Sequence, residues 1–298
     1  MTLDLNEKPG MMAVNNCKTA ITGDKNMLEL LLSATLTFPN ISPDIVSFGP
    51  LTIRWYSLAY LGGWAVAWFY MLQLIKKKGA PCTAAQVGDF AFWAMVGVIL
   101  GGRLGYVIFY NFSHYINHPG DILALWDGGM SFHGGFIGVS LATYFFCKKQ
   151  KIAFFRFTDL LACVTPFGLF LGRLANFING ELFGRPTDAS IGMIFPRGGP
   201  LPRHPSQLYE AALEGLALFF LLWFLFHFTN LRKKTGVLTG IFIIGYAAAR
   251  TFVEQFREPD NHIGFLYGTG FLTMGQLLSI PMVLVGLYLI FRKVNKTI

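Results

Sequence analysis

The stretch from Gly172 to Arg185 carries the densest group of polar side chains beside an apolar run of this chain. Its fourteen residues include two arginines, one glutamate, two asparagines and three glycines. Arginine binds phosphate through charge-assisted hydrogen bonds of about 1.5–3 kcal/mol each, and glycines let backbone N–H groups approach a ligand. Alternatively, Asn176 caps a helix while Arg173 extends its charged group toward water. The second Gly-Arg pair, at Gly184, favours a site for an anion such as a phosphate ester.

Arg250, Glu254 and Arg257 form a second polar stripe, because spacings of four and three residues place side chains on one helix face. A charge in the middle of a lone membrane helix costs about 2.5–3.5 kcal/mol, so three together need a function or mutual pairing. One interpretation is an ion-pair ladder that holds helices together. The excess of arginine favours another, in which Glu254 balances one arginine and the second arginine binds an anionic substrate.

The segment from Trp126 to Gly138 brings one histidine, His133, to the start of an apolar run, between two Gly-Gly pairs. A lone histidine at a helix start is usually structural. In a glycine-lined cleft, however, an imidazole is suited to accept a proton, because histidine ordinarily titrates near neutral pH. No second histidine or carboxylate follows at ligand spacing, so the sequence predicts no metal site and no cofactor.

The stretch from Arg203 to Glu210, followed by Glu214, joins a polar loop to the next apolar run. Pro205 and Ser206 resemble a helix start. The two glutamates share one helix face and would be unfavourable in lipid, so we expect them to pair with the arginines described above. This expectation favours a structural role for the stretch.

The composition restricts the class of protein in which these side chains operate. Of the 298 residues, 53% are hydrophobic and 13% are charged, whereas soluble domains carry roughly 25% charged residues. The hydrophobic residues form long blocks, which predicts an integral membrane protein. The net charge of +8 comes largely from basic clusters just beyond apolar blocks, a pattern typical of cytoplasmic loops and not of a nucleic-acid-binding surface.

Seven apolar segments predict an all-α integral membrane protein with seven transmembrane helices and a polar head on the outer, periplasmic face. The first, third, fifth and seventh segments each end in a basic cluster, so we expect a periplasmic N-terminus and a cytoplasmic C-terminus. The predicted spans are Tyr56–Ile75, Phe90–Tyr110, Phe132–Phe146, Phe157–Leu174, Gln207–Phe228, Val237–Phe256 and Leu272–Phe291.

Two regions of unequal size are predicted from the same pattern. Residues 1–39 are expected to form an N-terminal tail with a short interfacial helix at Leu28–Phe38. Residues 40–298 are expected to form the transmembrane domain, which includes a periplasmic insert at 176–206 with five prolines. The four cysteines show no metal or disulfide spacing.

The polar motifs together resemble those of the prolipoprotein diacylglyceryl transferase family. The stretch from Gly172 to Gly184 fits the family's signature without departure, and the resemblance covers residues 40–293. Arg54 departs from the histidine that some members carry beside the Trp-Tyr pair. The other matching segments are Trp55-Tyr56, Gly101-Gly102-Arg103 with Tyr106, Trp126 to Gly138, Arg203 to Glu210, and Gly245 to Arg257.

The resemblance implies an enzyme of the bacterial inner membrane that performs the first step of lipoprotein maturation. Such an enzyme transfers the sn-1,2-diacylglyceryl group from phosphatidylglycerol to the lipobox cysteine of a prolipoprotein signal peptide, forming a thioether and releasing glycerol phosphate. The resemblance ties Tyr56, His133, Arg173 and Arg250 to activity. From the chemistry of the transfer we expect His133 to act as base with Tyr56 as its helper, and Arg173 and Arg250 to stabilise the leaving phosphate. The residues implied to bind substrate are Arg173, Asn176, Glu181, Gly184, Arg250, Glu254 and Arg257.

Two other functions fit part of the pattern. A different phospholipid headgroup transferase would use the same anion site. A lipid transporter or anion channel would line a pathway with arginines, but it should carry polar residues through the full depth of the membrane and internal repeats. The concentration of polar motifs near one predicted face favours the transferase.

Overall fold

The computed structural model describes residues 36–39, 41–48, 51–258 and 273–292, and these residues are mostly helical. Within them are seven long helices, one short α-helix, three short 3₁₀ helices and four short strands, three of which precede the first long helix. The helices are α1 (Trp55–Leu74), α2 (Ala84–Phe109), α3 (Phe112–Asn117), α4 (Phe132–Gln150), α5 (Phe154–Ile178), α6 (Ser206–Phe228), α7 (Val237–Val253) and α8 (Met274–Phe291), and the strands are β1 (Leu36–Thr37), β2 (Asp44–Phe48), β3 (Leu51–Arg54) and β4 (Met193–Ile194).

The seven long helices of the described residues lie at the seven predicted apolar segments, with differences at their ends. α5 continues to Ile178, so Arg173 and Asn176 lie within its last turns. α7 ends at Val253, and Glu254 follows it as the C-cap. Arg257 therefore lies in the loop beyond α7 and not on a helical stripe with Arg250.

The prediction of an interfacial helix at Leu28–Phe38 is wrong for the part that the structure describes. Leu36 and Thr37 form β1, which pairs in parallel with Met193 and Ile194 of β4. Residues 28–35, the preceding tail and most of the loop 256–271 lie outside the described residues. The strand places residues of the predicted tail directly against the insert 176–206.

Four helices of the described part of the chain are both long and apolar enough to cross a membrane, namely α2, α5, α6 and α8. α7 is apolar but has 17 residues. α1 has 20 residues, six of them tryptophan or tyrosine, and α4 has 19 residues and ends in Lys148, Lys149 and Gln150. Large apolar side chains are exposed along these helices, for example Phe92 at 63% and Phe220 at 58%. Such surfaces suit contact with lipid and not with water.

α2 and α4 pack together through glycines. Gly101 faces Gly138 so closely that a Cβ atom on Gly101 would lie 2.7 Å from the Cα atom of Gly138. The same distance separates a Cβ on Gly105 from the Cα of Gly134. Small residues four positions apart let two membrane helices approach closely and gain dispersion contacts along their backbones.

The largest apolar core lies at the end of the bundle where α1, α4, α6 and α8 terminate. Phe90, Phe146 and Phe157 pack there with ring centroids 4.8–5.6 Å apart. Hydrogen bonds tie the connections at this end together, including Arg156 Nη2 to the carbonyl oxygen of Gly79 at 2.7 Å. The basic residues that follow these four helices within the described part of the chain therefore lie at one end of the bundle.

Asp159 joins α5 to the start of α7 at the same end. Its carboxylate accepts hydrogen bonds from Gly236 N at 2.7 Å and from both Thr239 N and Thr239 Oγ1 at 2.8 Å. The first N–H groups of a helix have no partner within the helix, and a carboxylate from a neighbouring helix satisfies them here. Asp159 thus has a structural role at the end opposite the polar motifs.

The polar insert after α5 folds over the other end of the bundle. It pairs in parallel with β1, and an antiparallel bridge joins Gly184 to Arg257 in the chain after α7. A second antiparallel bridge, between Pro186 and Arg203, lies within the insert. Phe38 packs on the rings of Phe177 and Phe195, with centroids 5.3 and 5.2 Å away. These contacts hold the turn that follows α5 in one position relative to α6 and α7.

Candidate active site

Glu210, near the start of α6, lies at the centre of a cluster of charged side chains. Its side chain is fully buried, and three guanidinium groups reach its two oxygens. Arg250 Nη1 lies 2.6 Å and Arg257 Nη1 lies 3.2 Å from Oε1, and Arg173 Nε lies 3.3 Å from Oε2. One carboxylate therefore connects α5, α6, α7 and the loop beyond α7.

Two further carboxylates complete the cluster. Arg173 Nη2 lies 3.2 Å from Glu214 Oε2, and Arg250 Nη2 lies 3.0 Å from Glu254 Oε2. The predicted pairing of the α6 glutamates with the arginines is thus confirmed. Both arginines of the 250–257 stripe contact Glu210, so Glu254 is not the only carboxylate that balances their charge. The six residues of this charged cluster are Arg173, Arg250, Arg257, Glu210, Glu214 and Glu254.

A π-helical segment lies at the two α6 glutamates. Glu210 immediately precedes the segment Ala211–Ala217, and Glu214 lies within it. Gly215 lets this widened turn approach α5, since a Cβ atom there would lie 2.7 Å from the Cβ of Phe170. Short π segments interrupt regular helices frequently at functional sites.

Burial makes the charged cluster dependent on pairing. Removing one partner of a buried ion pair costs about 3–5 kcal/mol, because the other charge is left without compensation. The side chains of Glu210 and Glu214 have 0% exposure, whereas the three arginine side chains retain 10–16%. A solute that approaches from the accessible side therefore meets guanidinium groups before it meets carboxylates.

The turn after α5 is organised around Glu181. Asn176 Nδ2 and Asn179 Nδ2 donate hydrogen bonds to Glu181 Oε1 at 2.8 and 3.3 Å. Gln207 Nε2 donates to the carbonyl oxygen of Glu181 at 2.6 Å. Asn176 therefore orients Glu181. The alternative that the sequence left open, in which Asn176 caps α5, does not occur in the structure.

Gly184 lies where two backbone segments approach closely. Its N–H donates to the carbonyl oxygen of His204 at 2.8 Å, and a Cβ atom on Gly184 would lie 2.7 Å from the Cβ of His204. Arg185 Nε donates to the carbonyl oxygen of Arg257 at 2.9 Å. Glycine is therefore required at position 184 because the backbone packs against His204. The sequence pattern had instead suggested that glycines in this stretch let the backbone approach a ligand.

His204 and Arg203 extend the network into the insert. His204 Nδ1 lies 3.0 Å from the hydroxyl oxygen of Tyr209, and burial lowers the pKa of His204. Arg203 Nη1 donates to Glu258 Oε2 at 2.8 Å. A neutral His204 at neutral pH adds no positive charge beside the three arginines.

Tyr56, in the first turn of α1, lies on the same side as Glu181 and Arg173. Its hydroxyl oxygen is 3.2 Å from that of Tyr60, and the charges of Glu181 and Arg173 both act on it. The Tyr56 hydroxyl therefore lies within reach of the charge of Arg173, a member of the charged cluster.

His133 stands apart from these residues. It lies at the second position of α4, is exposed, and contacts the ring of Phe132 with centroids 5.7 Å apart. Among the residues that the structure describes, no hydrogen bond or ion pair joins it to the charged cluster. Ser131 caps the helix, accepting a hydrogen bond from Gly134 N at 3.1 Å. His133 is thus accessible to a substrate outside the bundle.

Sequence reasoning missed the central position of Glu210 and overlooked Tyr246. Tyr246 interacts electrostatically with Arg173, Arg250, Glu210 and Glu214. It precedes Arg250 by four residues, so the helical stripe that identified the arginine also contains the tyrosine. No side chains among the described residues form a group of three or more metal ligands.

Comparison with known proteins matches residues 43–292 to the family described as prolipoprotein diacylglyceryl transferase. A relative from Rhodospirillum rubrum is 55% identical over 254 residues, which cover 85% of this chain and 92% of the relative. Relatives from Rickettsia felis and Brucella anthropi are 54% and 49% identical, covering 86% and 91% of this chain and 98% of each relative. All three are named phosphatidylglycerol–prolipoprotein diacylglyceryl transferase. The chain belongs to the prolipoprotein diacylglyceryl transferase family.

Proposed function

We propose that this protein transfers a diacylglyceryl group from phosphatidylglycerol to the lipobox cysteine of a prolipoprotein, the first step of lipoprotein maturation. The activity is the one for which its relatives are named, and they match it over nearly their whole length. The observation that carries the proposal within the molecule is the buried cluster of three arginines around Glu210.

The charged cluster supports binding of a phosphate diester. Arg173 and Arg250 expose 16% of their side chains, while the carboxylates that orient them are covered. A guanidinium held in this way presents its remaining donors without rearrangement, and this preorganisation favours a phosphate headgroup over water. Asn176 and Glu181 lie in the adjacent turn. We assign headgroup binding to these two residues and to Gly184, Glu254 and Arg257.

In the proposed reaction, the cysteine sulfur bonds to the glyceryl carbon that bears the phosphate. The bond between that carbon and the phosphate oxygen breaks, and glycerol phosphate leaves with the bonding electrons. Arg173 and Arg250 stabilise the negative charge that develops on the leaving group. A thiol is mostly protonated at neutral pH, so its proton must pass to a base.

We assign the role of base to His133 and a supporting role to Tyr56. The exposed position of His133 at the start of α4 suits contact with a peptide that arrives from outside the bundle. The assignment requires the lipobox segment to lie between His133 and the charged cluster, with its thiol directed to the glyceryl carbon.

We further propose that all seven long helices cross the bacterial inner membrane, with the charged cluster at the periplasmic end. Four helices of the described residues meet the criteria of length and hydrophobicity. The gathering of the basic clusters at the opposite end supports a cytoplasmic location for that end. This orientation places the site where outer-leaflet phosphatidylglycerol and exported signal peptides both occur.

The proposal predicts that Arg173→Ala and His133→Ala each reduce transfer on the order of 10²–10³-fold, the usual loss when a charge-stabilising group or a general base is removed. The purified protein in lipid nanodiscs is incubated with labelled phosphatidylglycerol and a lipobox peptide, and lipidated peptide is quantified. Arg156→Ala, which removes a half-buried arginine at the other end, serves as the control and should stay within about twofold.

The same assay separates the rival functions. Full activity of either variant at the site would contradict its assigned role. Transfer of a different lipid fragment would favour another headgroup transferase, and movement of lipid across the membrane without lipidated peptide would favour a transporter. Thermal unfolding of each variant in detergent establishes that lost activity is not lost folding.

A further inference from the structure

Arg103 is a buried arginine of α2 that the proposed reaction does not use. It has 4% exposure, and no salt bridge of the described side chains includes it. A buried charge without a carboxylate partner is unfavourable unless other groups replace its hydration. The groups that surround the Arg103 guanidinium must therefore replace its hydration.

The Arg103 guanidinium binds the backbone of the loop between α3 and α4. Nε donates to Ile122 O at 2.9 Å, and Nη2 donates to Asp121 O at 2.6 Å and to Ala124 O at 3.0 Å. Nη1 donates to the carbonyl oxygens of Gly128 and Gly129. A guanidinium has five N–H donors, and five carbonyl oxygens accept from them here.

The loop needs these donors because of its surroundings. Several of its large apolar side chains are exposed, with Leu123 at 78% and Trp126 at 83%, and Phe132 at 76% follows. Irregular backbone next to lipid is tolerated only when its carbonyl groups have partners within the protein. Arg103 supplies such partners to carbonyl groups in and beside two short 3₁₀ helices, Pro119–Leu123 and Leu125–Asp127, and to those of the two glycines that follow.

The same contacts determine how α4 begins. Gly128 and Gly129 have φ values of +79° and +81°, a conformation that glycine adopts without strain, and both carbonyl groups face Arg103. Ser131 N then donates to the carbonyl oxygen of Gly102 at 2.9 Å, and Ser131 Oγ caps α4. The first turn of α4, which carries His133, is thus attached to α2 through the Gly102 carbonyl and the Arg103 side chain.

We infer that Arg103 is a positioning residue for the transfer reaction: by binding the five carbonyl oxygens of residues 121–129, it fixes the turn from which His133 projects. The inference rests on the proposed function for the role of His133. Its structural part, that the turn depends on Arg103, stands independently of that role.

Arg103→Lys is the informative variant, because lysine keeps the charge but has three donors on one nitrogen and cannot span five carbonyl groups. Arg292→Gln is the matched control. Arg292 also binds a loop carbonyl, that of Thr235 at 3.2 Å, and packs on Phe155, but it lies at the opposite end of the molecule.

Hydrogen exchange measured by mass spectrometry tests the structural part in nanodiscs. Arg103→Lys should increase exchange at residues 121–134 at least tenfold, while Arg292→Gln leaves that segment unchanged. Unchanged exchange in Arg103→Lys would overturn the inference whatever the activity of the protein.

Transfer kinetics test the connection to catalysis. Arg103→Lys should lower kcat at least tenfold and leave KM for phosphatidylglycerol within about twofold, because the charged cluster lies on other helices. An increase in KM without a loss of kcat would overturn the positioning role. If Arg103 acts through His133, adding Arg103→Lys to His133→Gln should lower the residual rate by less than twofold.

The two hypotheses fail in different ways. Full activity of His133→Gln would refute the assigned base, while faster exchange in Arg103→Lys would still establish what holds the turn. Independent, multiplying losses from the two substitutions would show that Arg103 acts elsewhere and would overturn the inference. Where His133→Gln leaves no measurable rate, the exchange result and the kcat-to-KM comparison decide.

Discussion

At the scale of single residues, the charged cluster depends on the carboxylate of Glu210, for which the sequence pattern predicted only a structural role. Glu210 contacts all three arginines, so it determines where each guanidinium lies and how much of its charge is compensated. A pattern of charges along one helix cannot reveal this, because the partners come from α5, α7 and the loop beyond α7. The arginines themselves were found because charge within an apolar run is rare and easily recognised.

Glu210→Gln therefore provides a sharp prediction. The amide keeps the shape of the side chain but removes the negative charge that Arg173, Arg250 and Arg257 share. The substitution therefore lowers the free energy of unfolding and displaces the three guanidinium groups. We expect unfolding to become easier by about 3 kcal/mol or more and transfer to fall at least tenfold. Thermal unfolding in detergent and the peptide lipidation assay measure the two effects.

Glu258→Gln is the control for this change. Glu258 pairs with a single arginine, Arg203, and its side chain is 38% exposed, so its removal should alter stability by less than about 1 kcal/mol. Equal effects of the two substitutions would show that the fully buried position of Glu210 has no special importance.

At the scale of elements, the positions of the long helices were predictable and their contacts were not. Apolar length located all seven, and the polar signature located the turn after α5. The end of α7 and the strand β1 were missed because a C-cap at Glu254 and a two-residue pairing of Leu36 and Thr37 depend on groups distant in sequence. The glycines of α2 and α4 belong to the polar motifs of the sequence, but only the structure shows that these two helices pack against each other through them.

The α2–α4 contact predicts a position-dependent response to alanine. In Gly101→Ala the new methyl group would lie 2.7 Å from Gly138 Cα, so the helices must separate, at a cost of about 1–3 kcal/mol. Gly88→Ala lies on the same helix with no atom within 4 Å of the added methyl and should be neutral or slightly stabilising. Melting temperatures in one detergent compare the two, and a melting temperature of Gly101→Ala equal to that of Gly88→Ala would rule out the close glycine contact.

At the scale of the whole molecule, the two ends of the bundle have different chemistry. One end gathers basic clusters, an aromatic core and the Asp159 cap, whereas the other holds the charged cluster beneath the insert. Family membership, predicted from the motifs, is confirmed by the comparison over residues 43–292. The separation of the ends follows from alternating helix directions, which the sequence encodes, but the closure of the insert over α6 and α7 depends on bridges such as Gly184 with Arg257.

The orientation of these two ends predicts the result of a labelling experiment. Two variants place one accessible cysteine at each end of the bundle. Asp188, exposed in the insert, is replaced in Asp188→Cys, and Lys233, exposed between α6 and α7 at the basic end, is replaced in Lys233→Cys. The three native cysteines that the structure describes are buried, and Cys17→Ser removes the fourth from the background. A maleimide that does not cross membranes should label Asp188→Cys in intact spheroplasts and label Lys233→Cys only after permeabilisation. The charged cluster lies at the end that carries the insert, so the opposite labelling pattern would place it in the cytoplasm, away from exported prolipoproteins, and would contradict the proposed function together with the topology.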